Sequence, residues 1–271
     1  MLLSTTDGQR FNMKAFVIIL QESEHSKKVG AEAIEAARKF GIEPEVHNGV
    51  LGYDAPEKFR EYGITRFLTR DLIDNPGHQG CFLSHFELWL KCVKLNKPII
   101  VLEHDGIFVR ELPDDILNKF DGVLKLDPFD VFDCTDVYTE KVSDSLKEPI
   151  DVWHQPAKGT WHGVGEFIWG AYGYIIKPGA ALELIQFARK IGAAPTDVHI
   201  GRNIVDIKAT TVTVVTMNQV YIDKGVKGMS STSNLNQYVP GSNRMALAEY
   251  LSPKKYRQLL ETLEFIETVN I

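Results

Sequence analysis

Two stretches of this chain, AFVIIL at 15–20 and PIIVL at 98–102, are apolar without alternation. A strand with apolar side chains on both faces must be covered on both, which places it inside a sheet layered with helices. The segments between the two runs agree. HSKKVGAEAIEAARKFG (25–41) reads as an amphipathic helix closed by Gly41. PEVHNGV (44–50) reads as a short strand leaving into a glycine-containing loop, and NPGHQG (75–80) as a turn-rich loop. After it, Ser84 and Glu87 match the S-x-x-E capping box at a helix start. Phe86, Trp89, Leu90 and Val93 then recur at helical spacing up to PIIVL. Strand, helix, strand, and later helix into strand is the order of an α/β chain with a mainly parallel sheet.

Further along, VLKLD (123–127) reads as another strand, and about 133–165 is mixed and polar, as binding loops often are. GAYGYIIKPGAALELIQFARK (170–190) gives a small-residue strand and a helix begun by Pro178. TVTVVT (211–216) is the last clear strand, 224–245 is rich in Gly, Ser and Asn and reads as mobile, and SPKKYRQLLETLEFIE (252–267) reads as a final helix. Residues 1–13 form a polar lead-in, and with no linker in evidence residues 1–271 read as one domain.

A chain of 271 residues with 44% hydrophobic residues can bury a large core without disulfide or metal staples. Its net charge of −6 argues against broad contact with nucleic-acid backbone or anionic lipid. Three cysteines without a CxxC pair give neither a disulfide framework nor a zinc site, which suits a reducing, cytoplasmic setting. No apolar run approaches the roughly 20 residues that cross a bilayer, and the N-terminus lacks a signal-peptide pattern.

The informative feature is where PIIVL ends, in Glu103, His104 and Asp105. In open α/β sheets ligands bind beyond the carboxyl ends of strands. Side chains two apart on a strand share a face, so Glu103 and Asp105 point the same way and His104 the other. Two carboxylates that close repel, and a hard divalent ion relieves the repulsion. The plainer reading is a pair of solvated acids, or acids paired with Lys or Arg.

Taken together, GCFLSHFELW (80–89), VLEHDGIF (101–108), GAYGYIIKPGAALELI (170–185) and PTDVHIG (195–201) resemble the family-25 glycosyltransferases. The resemblance spans roughly residues 15–235. It implies a single-domain fold of the GT-A type, with a central, mainly parallel, twisted sheet flanked by helices. The implied activity is transfer of a hexose, galactose or glucose, from a UDP-sugar to a hydroxyl of a glycan or other acceptor, with inversion. Mn²⁺ or Mg²⁺ is the implied cofactor, held by Glu103 and Asp105, in a protein of the cytoplasm or the membrane periphery. The chain departs from the family where E-D-D becomes Glu103-His104-Asp105, and where the first strand runs into IILQESEHSKK without the usual arginine.

By the same resemblance Asp197 is the base or acceptor anchor, with a helix cap as its alternative. Leu20, Gln21, His85, Gly170 and Gly173 fall at donor or substrate positions. Tight packing is the other reading for both glycines, and a structural histidine for His85. Ser84 reads as a helix cap and His199 as a second-side closure of the metal site. Trp153, Trp161 and Trp169 suit stacking on a sugar face or a place in the core. Two other functions stay open: a non-catalytic binding module that keeps the fold, and a sugar transferase acting on modified bases in DNA.

Overall fold

The computed structural model describes residues 13–68, 70–128, 141–153, 168, 170–201 and 203–218. Seven strands form one sheet in the order β2-β1-β3-β7-β5-β8-β6. They are β1 (Lys14–Ile19), β2 (Pro44–Asn48), β3 (Ile99–Glu103), β5 (Val123–Lys125), β6 (Val152–Trp153), β7 (Gly173–Ile176) and β8 (Ile207–Thr210). Parallel pairing joins β2 to β1, β1 to β3 and β5 to β8; β7 runs antiparallel between β3 and β5, and β6 antiparallel at the edge. Five strands thus point one way, with their carboxyl ends at one edge. A separate antiparallel pair joins β4 (Gly106–Phe108) to β9 (Val215–Met217).

The unbroken apolar runs are explained by two cores, one on each face. Phe16, Ile18, Ile99, Val101, Tyr174 and Ile176 pack on one side against α4 (Pro76–Leu95) and α5 (Pro178–Lys190). Ala15, Val17, Ile19, Ile100, Leu102 and Ile175 face the other way, against Val29, Ala33 and Ala37 of α1 (Glu24–Arg38) and Met217 of β9. A side-chain period of two sends alternate residues of each strand into alternate cores. Among the described residues no helix is long and apolar enough to cross a membrane.

α4 begins earlier than the sequence reading has it. Residues 75–80 are its cap and first turns: the Asn75 side chain accepts from the amides of Gly77 and His78, and Pro76 takes the first helical position. Ser84 is therefore no cap. It lies inside the helix, buried, donating to the Gly80 carbonyl at 2.7 Å and accepting from the Val50 amide at 2.8 Å. Glu87 likewise caps nothing; it meets Lys58 at 2.5 Å and the Tyr62 hydroxyl at 2.8 Å. A Cβ on Gly80 would come within 2.3 Å of the Val50 carbonyl oxygen, so the helix needs glycine there to lie against the loop that follows β2. The run TVTVVT is split, its first residues turning after β8 and its last two entering β9.

The segments 224–245 and 252–267, the lead-in before Met13, and Trp161 and Trp169 lie outside the described residues. Trp153 contributes its backbone to β6.

Candidate active site

Glu103 is the last residue of β3, and its side chain turns toward α4. Its Oε1 lies 3.1 Å from His85 Nε2 and 3.7 Å from Cys81 Sγ. Cys81 and His85 are four apart, so one face of α4 carries both. Cys81 Sγ is in turn 3.5 Å from Thr196 Oγ1, at the start of the short helix α6 (Thr196–His199). Asp197 follows, half-buried, its Oδ1 accepting from the Val198 amide at 2.9 Å. Its charge is felt at the Cys81 thiol. Three segments distant in sequence, around 81–85, 103–105 and 196–197, therefore meet beside the carboxyl end of β3.

The two acids of the strand end differ in state. Burial opposes the charge on Glu103, but hydrogen bonding, first from His85 and also from Cys81, holds the carboxyl below its ordinary value. Asp105 is buried, and its Oδ1 has no hydrogen-bond partner among the described residues. Burial, and then the charge of Glu103, push its carboxyl well above the ordinary range. Burial and the neighbouring Glu103 also push the Cys81 thiol well up. β3 ends at Glu103, so the strand alternation expected of 103–105 does not hold: His104 and Asp105 form the turn into β4, and His104 sits against α1, its Cβ 3.6 Å from where a Cβ on Gly30 would lie.

Two donor sets near this point can be weighed for a metal. Cys81 Sγ, His85 Nε2 and a Glu103 oxygen lie within 4.8 Å of one another. Glu103 and Asp105 offer oxygens alone, the donors that Mg²⁺ and Mn²⁺ prefer. The Asp105 oxygen, buried and without a hydrogen-bond partner among the described residues, suits a hard divalent cation.

The remaining expectations divide. Leu20 and Gln21 lie in the turn between β1 and α1; the Leu20 amide donates to Ser26 Oγ at 3.0 Å, and Gln21 is exposed. His85 is fully buried and reaches Glu103 and the Tyr174 hydroxyl, 2.9 Å from its Nδ1. Gly170 has a positive φ of 70°, a conformation that favours glycine. Gly173 is needed for packing: a Cβ there would come within 2.6 Å of Val215 Cγ1. His199 does not approach the acids. Its ring stacks on Trp89 at 5.5 Å between centroids, touches Phe82 edge-on, and bonds the Leu184 carbonyl at 3.1 Å. Its apolar surroundings make it a core residue. Cys81, Thr196 and Tyr174 are site residues that motif reading passes over. The i, i+4 spacing of Cys81 and His85 carries a signal for the first, and nothing local marks the other two.

The family described as glycosyltransferase family 25 (LPS biosynthesis protein) matches residues 13–200. A Haemophilus influenzae protein described as lipooligosaccharide biosynthesis protein lex-1 is 28% identical over 120 residues. That match takes in 42% of this chain and 38% of the relative's length.

Proposed function

This chain belongs to glycosyltransferase family 25, and on that footing we propose that it is a metal-dependent hexosyltransferase, a single domain of the GT-A type. It moves galactose or glucose from a UDP-sugar to a hydroxyl of a glycan, with inversion, in the assembly of a lipooligosaccharide or a similar glycoconjugate at the cytoplasmic side of the membrane. The observation that supports this reading is the convergence of Cys81 and His85, Glu103 and Asp105, and Thr196 and Asp197 at the edge where open α/β sheets bind their ligands.

In this reading Glu103 and Asp105 hold Mn²⁺ or Mg²⁺ through their oxygens. Such an ion, when bound, offsets the negative charge of the donor's diphosphate. The turn at Leu20 and Gln21 receives the nucleotide, and Gly170 lets the chain pass close to the donor. Asp197 takes the proton of the acceptor hydroxyl as that oxygen attacks the anomeric carbon and the bond from sugar to diphosphate breaks. Cys81, in contact with both Glu103 and Thr196, ties the donor side of the site to the base.

The test is a melting curve with UDP, Mn²⁺, or both. A ligand that binds only the folded chain at about 100 times its Kd adds about 2.7 kcal/mol of stability. UDP with Mn²⁺ raises the melting temperature, and slow metal-dependent hydrolysis of the UDP-sugar accompanies it. No shift at millimolar concentrations would remove the donor assignment. Binding without hydrolysis or transfer would point to a non-catalytic module.

A further inference from the structure

Beside β3 the hydrogen-bonding protons can be assigned one by one. An indole N–H donates and never accepts, so Trp89 Nε1, 3.0 Å away, points its proton at the Tyr174 hydroxyl oxygen. The hydroxyl's own proton must go elsewhere, and His85 Nδ1 lies 2.9 Å away. Trp89, Tyr174 and His85 are completely buried, where a hydroxyl proton without an acceptor is costly. His85 Nδ1 is therefore the acceptor, and the ring proton is on Nε2. That N–H donates to Glu103 Oε1 at 3.1 Å, and the Cys81 thiol is aimed at the same oxygen. Both donors converge on Oε1, while the Glu103 side chain keeps 26% of its surface exposed.

We infer that the buried chain Trp89–Tyr174–His85 is a positioning device, which fixes His85 as the Nε2–H tautomer so that the protein holds Oε1 of Glu103 and presents Oε2 to a ligand. The inference rests on the reading of Glu103 and Asp105 as the donor's metal site. It also removes His85 from the metal ligands. A ligating imidazole nitrogen must offer a lone pair, and here that position on Nε2 is taken by a proton. Cys81 and His85 then act as donors to a carboxylate, although their geometry with Glu103 resembles a three-ligand cage. Loss of such an outer partner typically weakens metal binding or activity by about 10–100-fold.

Nitrogen-15 NMR of the histidine rings, with His85 assigned by its absence in His85→Gln, tests the tautomer, and calorimetry of UDP with Mn²⁺ tests its consequence. The wild type shows His85 as Nε2–H. Tyr174→Phe keeps the ring and removes the hydroxyl; there the Nδ1 signal shifts as its hydrogen bond is lost, and UDP–Mn²⁺ affinity falls by about 10–100-fold. The amide of His85→Gln can accept from Tyr174 and donate to Glu103, so this variant recovers most of the affinity lost in His85→Ala. Should Tyr174→Phe not fold, the His85→Gln and His85→Ala pair carries the test. An Nδ1–H ring in the wild type, ring signals indifferent to Tyr174→Phe, or a Gln variant as weak as the Ala variant overturns the proposal. So does a thiolate charge-transfer band with Co²⁺ alone that vanishes in Cys81→Ser, because it would put the ion on the cage instead. Absence of UDP–Mn²⁺ binding in the wild type sinks the donor reading, and the ring signals of wild type and Tyr174→Phe then decide this proposal by themselves.

Discussion

Asp105 and Asp197 stand close to the same cluster, yet the chain uses them differently. Asp105 is buried with an oxygen that no described residue reaches, so its carboxylate contributes no protein hydrogen bond through that atom. Asp105→Asn should fold with an unchanged or higher melting temperature while losing the shift that Mn²⁺ gives with UDP; retention of that shift would take the metal away from this residue. His104→Asp restores the family's acidic triplet but places a carboxylate against α1, where His104 now packs. Asp197 is half-buried on a short helix and accepts from the next amide. A positioned base contributes about 10²–10⁴-fold to rate, so Asp197→Asn should lower transfer by about that factor with nucleotide affinity nearly constant. If the residue only caps, the same variant costs about 0.5–2 kcal/mol of stability and turnover survives. At this scale the sequence is informative where chemistry repeats at a fixed offset. Glu103 and Asp105 announce themselves by two-residue spacing at the end of an apolar run. Tyr174 and Thr196 do not, because their roles depend on partners 89 and 115 residues away. His199 misleads for a related reason: a histidine beside an acidic motif looks like a ligand until Trp89 and Phe82 are found against its ring.

Among the elements, β1, β3, β5, β7, α1 and α5 are legible in the sequence, because apolar runs, Gly41 and Pro178 mark their interiors and ends locally. The start of α4 is not. Asn-Pro-Gly is the chemistry of a turn and equally that of a capped helix start; contact with the loop after β2 decides between them. Ser84 shows what that contact requires. Its hydroxyl supplies the acceptor for the buried Val50 amide, 34 residues away, so the residue ties α4 to that loop. Ser84→Ala leaves the amide unsatisfied and should cost about 1–3 kcal/mol in chemical denaturation, well beyond the loss of a surface cap. A cost near zero would mean that water replaces the hydroxyl. Glu87 adds a second tie from the same helix. Burial opposes its charge, but His47 at 3.3 Å and the hydrogen bonds from Lys58 and Tyr62 win and hold its carboxyl at about 2.

For the whole molecule, α4 is the element through which core and site depend on one another. One end brings Cys81 and His85 to Glu103, and further along Trp89 stacks on His199 in the core between α4, α5 and α6. Acid should therefore loosen the frame before it reaches the carboxylates. Burial is the main cause that lowers His199 to about 4, against an ordinary value of 6.5. Between those two values the unfolded chain binds a proton that the folded chain refuses, so stability rises with pH through this window and falls as acid is added. The contribution of Glu87 has the opposite origin but the same direction: a depressed carboxyl stabilises the fold above about 4.5, and that support is lost as pH falls toward 2. The windows barely overlap, so a single variant can isolate the first. His199→Phe keeps an aromatic ring against Trp89, Phe82 and Phe187 and cannot take a proton. The Leu184 carbonyl is not orphaned by the change, since it lies inside α5, where the helix supplies its own donor. At pH 5 the variant should exceed the wild type by about 2 kcal/mol relative to their difference at pH 8. A residual acid slope should remain from His104, which burial also lowers. Urea denaturation of both proteins at the two pH values makes the comparison, and parallel stability curves across pH 4–6.5 would show that His199 is protonated in the folded chain.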